Sequence, residues 1–347
     1  MATVRAAWAY HCRWWLEVGM RVLVLGGNRY IGRHLVEALA RRGHEVTVLN
    51  SHPSPLPEGV RRLHGDRQQP GVIEDVLGPL REDFDAVFDN TSYQTSDVAP
   101  LVELFRGRVE HFVFTSSTAV YLWSDTQPVT EESPVSDDEA VNPARGYGAG
   151  KVRCERLLRA EFEQSGFPAT SLRVGHTLGP HSPLPREHAF FARLKARRPI
   201  LIPGDGMPFV HLVHVDDVAS AMCAVLSTDA SAGQTYNVNG AQFSSIAAYM
   251  RMMAAVAGVE ADLVYVSRET AKALRPPILH WAEWYRGGAV FSIEKAKREL
   301  NWQPSFGLAS GLQDSYHWFQ EEGEDWYTPD FSRDDDVLRM LNLPEKE

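Results

Sequence analysis

The chain has 347 residues, a formal net charge of −10, 44% hydrophobic and 10% aromatic residues, and three cysteines. This composition excludes a disulfide-stapled mini-protein and a disordered chain. Because no apolar run approaches the roughly 18 residues that span a bilayer, it also excludes an integral membrane protein. Residues from Phe319 onward contribute −7, which leaves a near-neutral body. Such a body lacks the clustered positive charge that nucleic acid requires, so the expected partner is a small-molecule substrate, with no nucleic acid and no membrane.

Residues 1–19 place Arg5, Arg13 and Glu17 among Trp8, Tyr10, Trp14 and Trp15, which interrupts any secretory core. They read as an extension ahead of the fold or as an amphipathic helix packed on it. The first strand is expected over residues 22–25, followed by a glycine turn. A helix comes next, with Ile31, Leu35 and Leu39 on one face, ending at Gly43. Further apolar strands over residues 45–49, 86–88, 112–115 and 171–174 alternate with helix-length segments, the pattern of an α/β Rossmann fold with a doubly wound parallel sheet. Residues 20–175 are thus expected to form a dinucleotide-binding domain. Beyond it, prolines at 180, 183, 185, 199 and 203 break the rhythm. Residues 176–210 and 241–320 are expected to form a smaller substrate lobe, with residues 211–240 returning to the sheet through short strands at 211–215 and 235–238. Residues 321–347 read as an acidic tail, solvated or loosely docked. Cys12, Cys154 and Cys223 lie far apart with no paired spacing, so no disulfide framework or metal site is expected, and a cytoplasmic location is the simplest.

The turn Gly26-Gly27-Asn28-Arg29-Tyr30-Ile31-Gly32 lies between strand and helix. There, backbone amides at the helix start can hold a pyrophosphate and the last glycine admits close helix–sheet contact. Asn50 closes the second strand where an acid would bind an adenosine ribose, and Ser51 follows it. With no acid to repel a 2′-phosphate and Arg29 able to pair with one, NADP is slightly favoured over NAD. Asp66 and Arg67 follow the third strand and are candidate contacts to the adenosine end. Tyr147 and Lys151 stand one helical turn apart, so an ammonium beside the phenol would favour the phenolate and make Tyr147 a usable acid/base. Ser117 ends the strand upstream, at the sheet edge where such folds bind ligands. His176, Met207 and His211 are candidate substrate contacts. The group His280, Trp281, Trp284 and Tyr285 reads as core packing or as a pocket for a flat substrate.

These residues resemble the extended short-chain dehydrogenase/reductase family of NAD(P)-dependent epimerases, dehydratases and reductases. The likeness runs from Met20 to about Gln320. It includes Val120-Tyr121, Glu155, Arg173, Gly179-Pro180, His214-Val215-Asp216-Asp217, Tyr236-Asn237-Val238 and the run from Lys295 to Pro304. The resemblance implies hydride transfer at a secondary alcohol or ketone carbon, with NAD(P)(H) as cofactor. It also implies Tyr147 as acid/base, Lys151 on the nicotinamide ribose, Ser117 on the reacting oxygen, and often a homodimer through the helix of Tyr147. Arg29, where the family usually has glycine, is similar to a branch that holds epimerase-like proteins and chloroplast stem-loop-binding proteins. Thr118-Ala119 replace the acid pair of 4,6-dehydratases, and Val210 replaces the arginine that clamps a sugar-nucleotide diphosphate. Arg268, Arg275 and Arg286 are possible substitutes for it. The expected activity is therefore that of an epimerase or oxidoreductase on a sugar-like substrate. The alternatives are an NADPH-dependent ketone reductase and a non-catalytic dinucleotide-sensing or RNA-associated protein on the same fold.

Overall fold

The computed structural model describes residues 19–69, 71–80, 83–184, 186–267, 269, 288–323 and 329–341. The expectations for residues 1–18, for Arg268, Arg275 and Arg286, and for the aromatic group at 280–285 lie outside the described residues.

In β1 (Arg21–Leu25), Val22 and Val24 face one side of the sheet and Leu23 and Leu25 the other, and all four are buried. A strand covered on both faces needs an unbroken apolar run. It pairs with β2 (Glu45–Asn50) and β4 (Ala86–Asp89). With β3 (Arg61–His64), β5 (His111–Ser117), β6 (Ala169–Val174) and β10 (Thr235–Val238) it forms a seven-stranded sheet of order β10-β6-β5-β4-β1-β2-β3, parallel throughout. The order reverses between β1 and β4, which opens a crevice beyond the carboxyl ends of the strands. On one face lie α1 (Tyr30–Arg41), α6 (Val215–Val225) and α8 (Glu294–Leu300), sharing a core with Val22, Val24 and Phe88. On the other lie α2 (Val72–Leu77), α3 (Thr95–Phe105) and α4 (Arg145–Ser165), packed on Leu23, Leu25, Phe112 and Phe114.

The second lobe is built from β7 (His176–Leu178), β9 (Phe209–His214) and β11 (Phe243–Ser245) in one small sheet, and from β8 (Ile200–Pro203) beside β12 (Leu263–Val266) in another. Around them α5 (Arg186–Lys195), α7 (Ile246–Val256) and α9 (Leu308–Trp318) enclose Phe191, Ile200, Met253 and Leu312. Of the two segments expected to rejoin the large sheet, only residues 235–238 do so. Residues 211–214 belong to β9, because His214 caps α6 and the chain reaches the large sheet only after that helix.

The acid-rich C-terminal segment is docked where it is described. Its helix α10 (Ser332–Met340) buries Val337 and Leu338 against Leu201 and Val266, and Asp335 pairs with Arg198. A buried aliphatic pair of this kind contributes on the order of 1.5–3 kcal/mol per side chain, enough to hold a charged helix against the lobe.

Candidate active site

The glycine turn leaves β1 with Gly26 at φ +81°, its N–H donating to Leu49 O at 3.1 Å. A Cβ at Gly32 would lie 1.9 Å from Gly26 O, so only glycine lets α1 start this close to the turn. Tyr30 adopts φ +40°, a left-handed backbone that is strained for a non-glycine residue and is often found at functional sites. Half-buried Ile31 packs on the core beneath. Asn50 is buried, and its Oδ1 accepts from Gly27 N at 3.1 Å, tying the end of β2 to the turn. The Asn50 Nδ2 has no partner among the described residues. Ser51 Oγ meets His52 Nδ1 at 2.8 Å, and Asn28 Nδ2 donates to His52 O at 3.3 Å, so the two loops brace each other. Arg29 is exposed and has no ion pair among the described residues. This cradle of amides, tight glycines and an orphaned amide donor fits a dinucleotide.

Asp66 accepts from Gln68 N at 3.0 Å, a local turn contact. Arg67 departs from the expectation of a ligand contact. Its guanidinium donates to Asp89 Oδ1 at 2.8 Å, Thr91 Oγ1 at 2.9 Å and Asp97 O at 2.5 Å. Asp89 is fully buried, so its charge requires that partner and draws the arginine inward.

Ser117, Tyr147 and Lys151 converge at the carboxyl edge of β5. Ser117 Oγ accepts from Ala119 N at 3.2 Å, which fixes its rotamer, and its hydroxyl lies near enough to the Tyr147 phenol to favour the phenolate. The Tyr147 ring is 46% exposed and lies 6.1 Å from that of Tyr93. Lys151 is 2% exposed, and its Nζ donates to Ser92 O and Thr115 O, each at 2.7 Å. Burial lowers its pKa to about 8. The expected drop in the phenol's pKa is not found. Burial raises it, opposed by Ser117 and by the charge of Arg186, while Lys151 directs two of its three N–H donors to carbonyls.

Arg186, which the sequence reading passed over, opens α5 and lies close enough to bias Tyr147, Tyr30 and His176. A cation at the first position of a helix opposes the macrodipole, and that broken local rule was the available signal. His176, in β7, is pushed down to about 3, first by burial and then by Arg186, so its imidazole stays neutral. The loop before Arg186 is held to α1 through His34 Nε2 on Pro180 O at 3.3 Å and Arg33 on His181 at 3.4 Å. Of the other two candidate substrate contacts, Met207 is 62% exposed. His211 is buried, with Nε2 on Gly240 O at 2.7 Å and Nδ1 accepting from Phe291 N at 3.0 Å, so both ring nitrogens serve the lobe itself.

Most of the other residues that carry the family resemblance hold the frame. Arg173 grips Glu155 through Nε and Nη2, the latter at 2.7 Å, and donates to Tyr121 OH at 2.9 Å; that phenol donates to Asn237 Oδ1 at 2.6 Å. Ser116, next to Ser117, donates to the same Glu155. Asp217 accepts from Ser305 N, Ser305 Oγ and Phe306 N at 2.7–3.0 Å, pinning the C-terminal segment to α6.

A model of the NAD dependent epimerase/dehydratase family matches residues 22–239. The "Chloroplast stem-loop binding protein of 41 kDa b" of Arabidopsis thaliana is 30% identical over 334 residues, 92% of this chain and 84% of that protein. The 2'-dehydrokanamycin reductase of Streptomyces kanamyceticus is 31% identical over 223 residues, 62% of this chain and 61% of that protein. Among solved structures, UDP-glucuronic acid 4-epimerase from Bacillus cereus in complex with NAD is similar with a TM-score of 0.70 at 20% identity, covering 90% of this chain and 100% of that one. Likeness at that identity speaks for the fold.

Proposed function

The chain belongs to the NAD dependent epimerase/dehydratase family, and on that footing we propose that it transfers hydride at a secondary alcohol or ketone carbon of a sugar-like substrate, free or nucleotide-linked. The observation that carries this reading is the convergence of Ser117, Tyr147 and Lys151 beside a glycine turn built for a dinucleotide. A bound nicotinamide supplies the hydride donor or acceptor. Tyr147 Oη moves the proton, Ser117 holds the reacting oxygen, and Lys151 holds the ribose while keeping a positive charge near the phenol. The half-buried Arg186 is the cation placed to receive an anionic group of the substrate, in a lobe where Val210 is buried and leaves the usual clamp position without charge. Thr118 and Ala119 bring no carboxylate to the site, so a 4,6-dehydration has no acid of its own there.

A second reading, an NADPH-dependent ketone reductase, is favoured by two observations. Asn50 offers an amide donor where an acid would repel a 2′-phosphate, with Arg29 exposed beside it. The raised phenol is also protonated at neutral pH, which is the form that donates to a ketone. One experiment separates the readings: purify the protein without added cofactor, denature it and identify any dinucleotide released. Stoichiometric NAD supports an epimerase that retains its redox partner. An empty site that prefers NADPH over NADH, with the preference lost in Arg29→Ala, supports the reductase. Failure to bind either, or a biological activity that survives Tyr147→Phe, overturns the enzymatic reading in favour of a binding protein.

A further inference from the structure

Lys151 is useful beside Tyr147 only while it is charged, yet its ammonium is almost completely removed from water. Four groups surround it. Two are the carbonyls of Ser92 and Thr115, each at 2.7 Å. Two are aromatic faces, Phe114 at 4.7 Å and Tyr93 at 4.9 Å from the ring centroid. The acids nearest to it are committed elsewhere. Asp89, at the end of β4, is clasped by Arg67, and Glu155, in α4, is gripped by Arg173. Asp97, in α3, accepts from Tyr93 N at 2.8 Å and Gln94 N at 3.0 Å. Cys154, also in α4, has its thiol pushed up to about 12, first by burial, and stays neutral. Among the described residues none of these acids pairs with Lys151 directly; their field favours its charge, and the carbonyls and the two rings are the groups in contact with it.

Of the four groups, Tyr93 alone is an exposed side chain. It stands on the loop between β4 and α3, is 47% exposed and contacts the Tyr147 ring at 6.1 Å. Its backbone is fixed from two sides. Asp97 holds its N–H, and Gly150, between Tyr147 and Lys151 in the helix, lets that helix press against it; a Cβ at 150 would lie 2.3 Å from Tyr93 O. The glycine inside the Tyr-x-x-x-Lys segment therefore sets the height at which the ring covers the ammonium.

We propose that Tyr93 is a positioning residue, whose ring face keeps the Lys151 ammonium charged and aligned beside Tyr147. The inference deepens the reading of Tyr147 and Lys151 as the reacting pair and rests on it for its functional meaning. The ring, rather than the phenol oxygen, does the holding.

The test is a direct titration of Lys151 in the full-length protein, which has only six lysines. With 13C-labelled lysine, the Cε resonance that disappears in Lys151→Arg is followed against pH in wild type and variants. Tyr93→Phe keeps the ring and is expected to titrate within about 0.3 pH unit of wild type, whereas Tyr93→Leu and Tyr93→Gln are expected to titrate about one pH unit lower. Because position 93 is half exposed, at least one of those two variants should fold, as a thermal melt will show. A midpoint unchanged in the variants that lack the ring, or lowered as far in Tyr93→Phe, would overturn the proposal. The readout needs no turnover, so an inactive protein would defeat the enzymatic reading while leaving this result standing.

Discussion

Replacing Gly32 by alanine tests the dinucleotide cradle most directly. The added methyl would sit 1.9 Å from Gly26 O, 2.9 Å from Gly26 C and 3.0 Å from Gly27 Cα, all of them backbone atoms that no rotamer change can move. Contacts under 3.0 Å are essentially never made by real Cβ atoms, so the turn and the start of α1 must separate by more than an ångström. Overpacking of this kind costs about 1–3 kcal/mol. The same displacement breaks the alignment of amides that would bind a pyrophosphate, where each charge-assisted hydrogen bond contributes about 1.5–3 kcal/mol. Loss of one such bond weakens NAD(P) binding by roughly 10- to 100-fold. Gly43→Ala is the control: its φ of +79° imposes strain, but nothing lies within 4 Å of the new methyl. It is expected to lower the melting temperature slightly and to leave binding unchanged. Isothermal titration with NAD+ and NADP+, alongside thermal melts, gives both numbers. Wild-type affinity in Gly32→Ala, or equal loss in both variants, would refute the reasoning.

Other outcomes follow from groups that burial has cornered. Arg173→Met strands the Glu155 carboxylate, which is 8% exposed, and should destabilise the fold by about 3–5 kcal/mol in a denaturant titration; adding Glu155→Leu should recover most of that loss. His188, whose pKa burial pushes down to about 4, binds a proton more readily in the unfolded chain, so its contribution is present above about pH 6.5 and is lost as pH falls towards 4. His188→Phe should flatten the decline in melting temperature over that window, since a shift of this size corresponds to on the order of 3 kcal/mol. If Lys151 must be protonated to act, turnover should fall as pH rises through about 8, and a pH–rate profile shows whether it does. Arg186→Gln should raise KM for an anionic substrate roughly 10- to 100-fold and weaken dinucleotide binding far less, as expected for loss of a charge-assisted contact to the substrate.

The sheet was readable because its evidence is local. The run Val22 to Leu25 has no polar interruption, the helix face Ile31, Leu35, Leu39 repeats at helical spacing, and the glycines of the turn are each forced by a neighbour within van der Waals distance. Ser117, Tyr147 and Lys151 were readable for the same reason, since two share a helix turn and the third ends a strand. What the sequence could not show was how committed each group already is. Arg67 looked like a donor facing a ligand, but a buried carboxylate 22 residues away in Asp89 claims it. His211 looked like a substrate contact, but Gly240 and Phe291, brought to it by the folding of the second lobe, take both ring nitrogens.

Burial also explains why the predicted electrostatics of the reacting pair changed sign. On a bare helix a lysine one turn from a tyrosine lowers the phenol's pKa by its field. In the folded protein the lysine is buried and the phenol partly shielded, and the lysine's hydrogen bonds go to Ser92 O and Thr115 O rather than to the phenol. Desolvation then dominates, raising the tyrosine and lowering the lysine to about 8, which drives the two titrations apart. Each group still responds to a charge brought in from outside. A cation beside Tyr147 favours the phenolate, and an anion beside Lys151 favours the ammonium. Arg186 already exerts the first influence from the substrate lobe. An anionic substrate that neutralised Arg186 would release the phenol upward and keep it protonated for donation. The polarity of the substrate and the direction of proton transfer are therefore coupled through one arginine, and the pH profile of Arg186→Gln should show the phenol's titration displaced upward even where substrate is saturating.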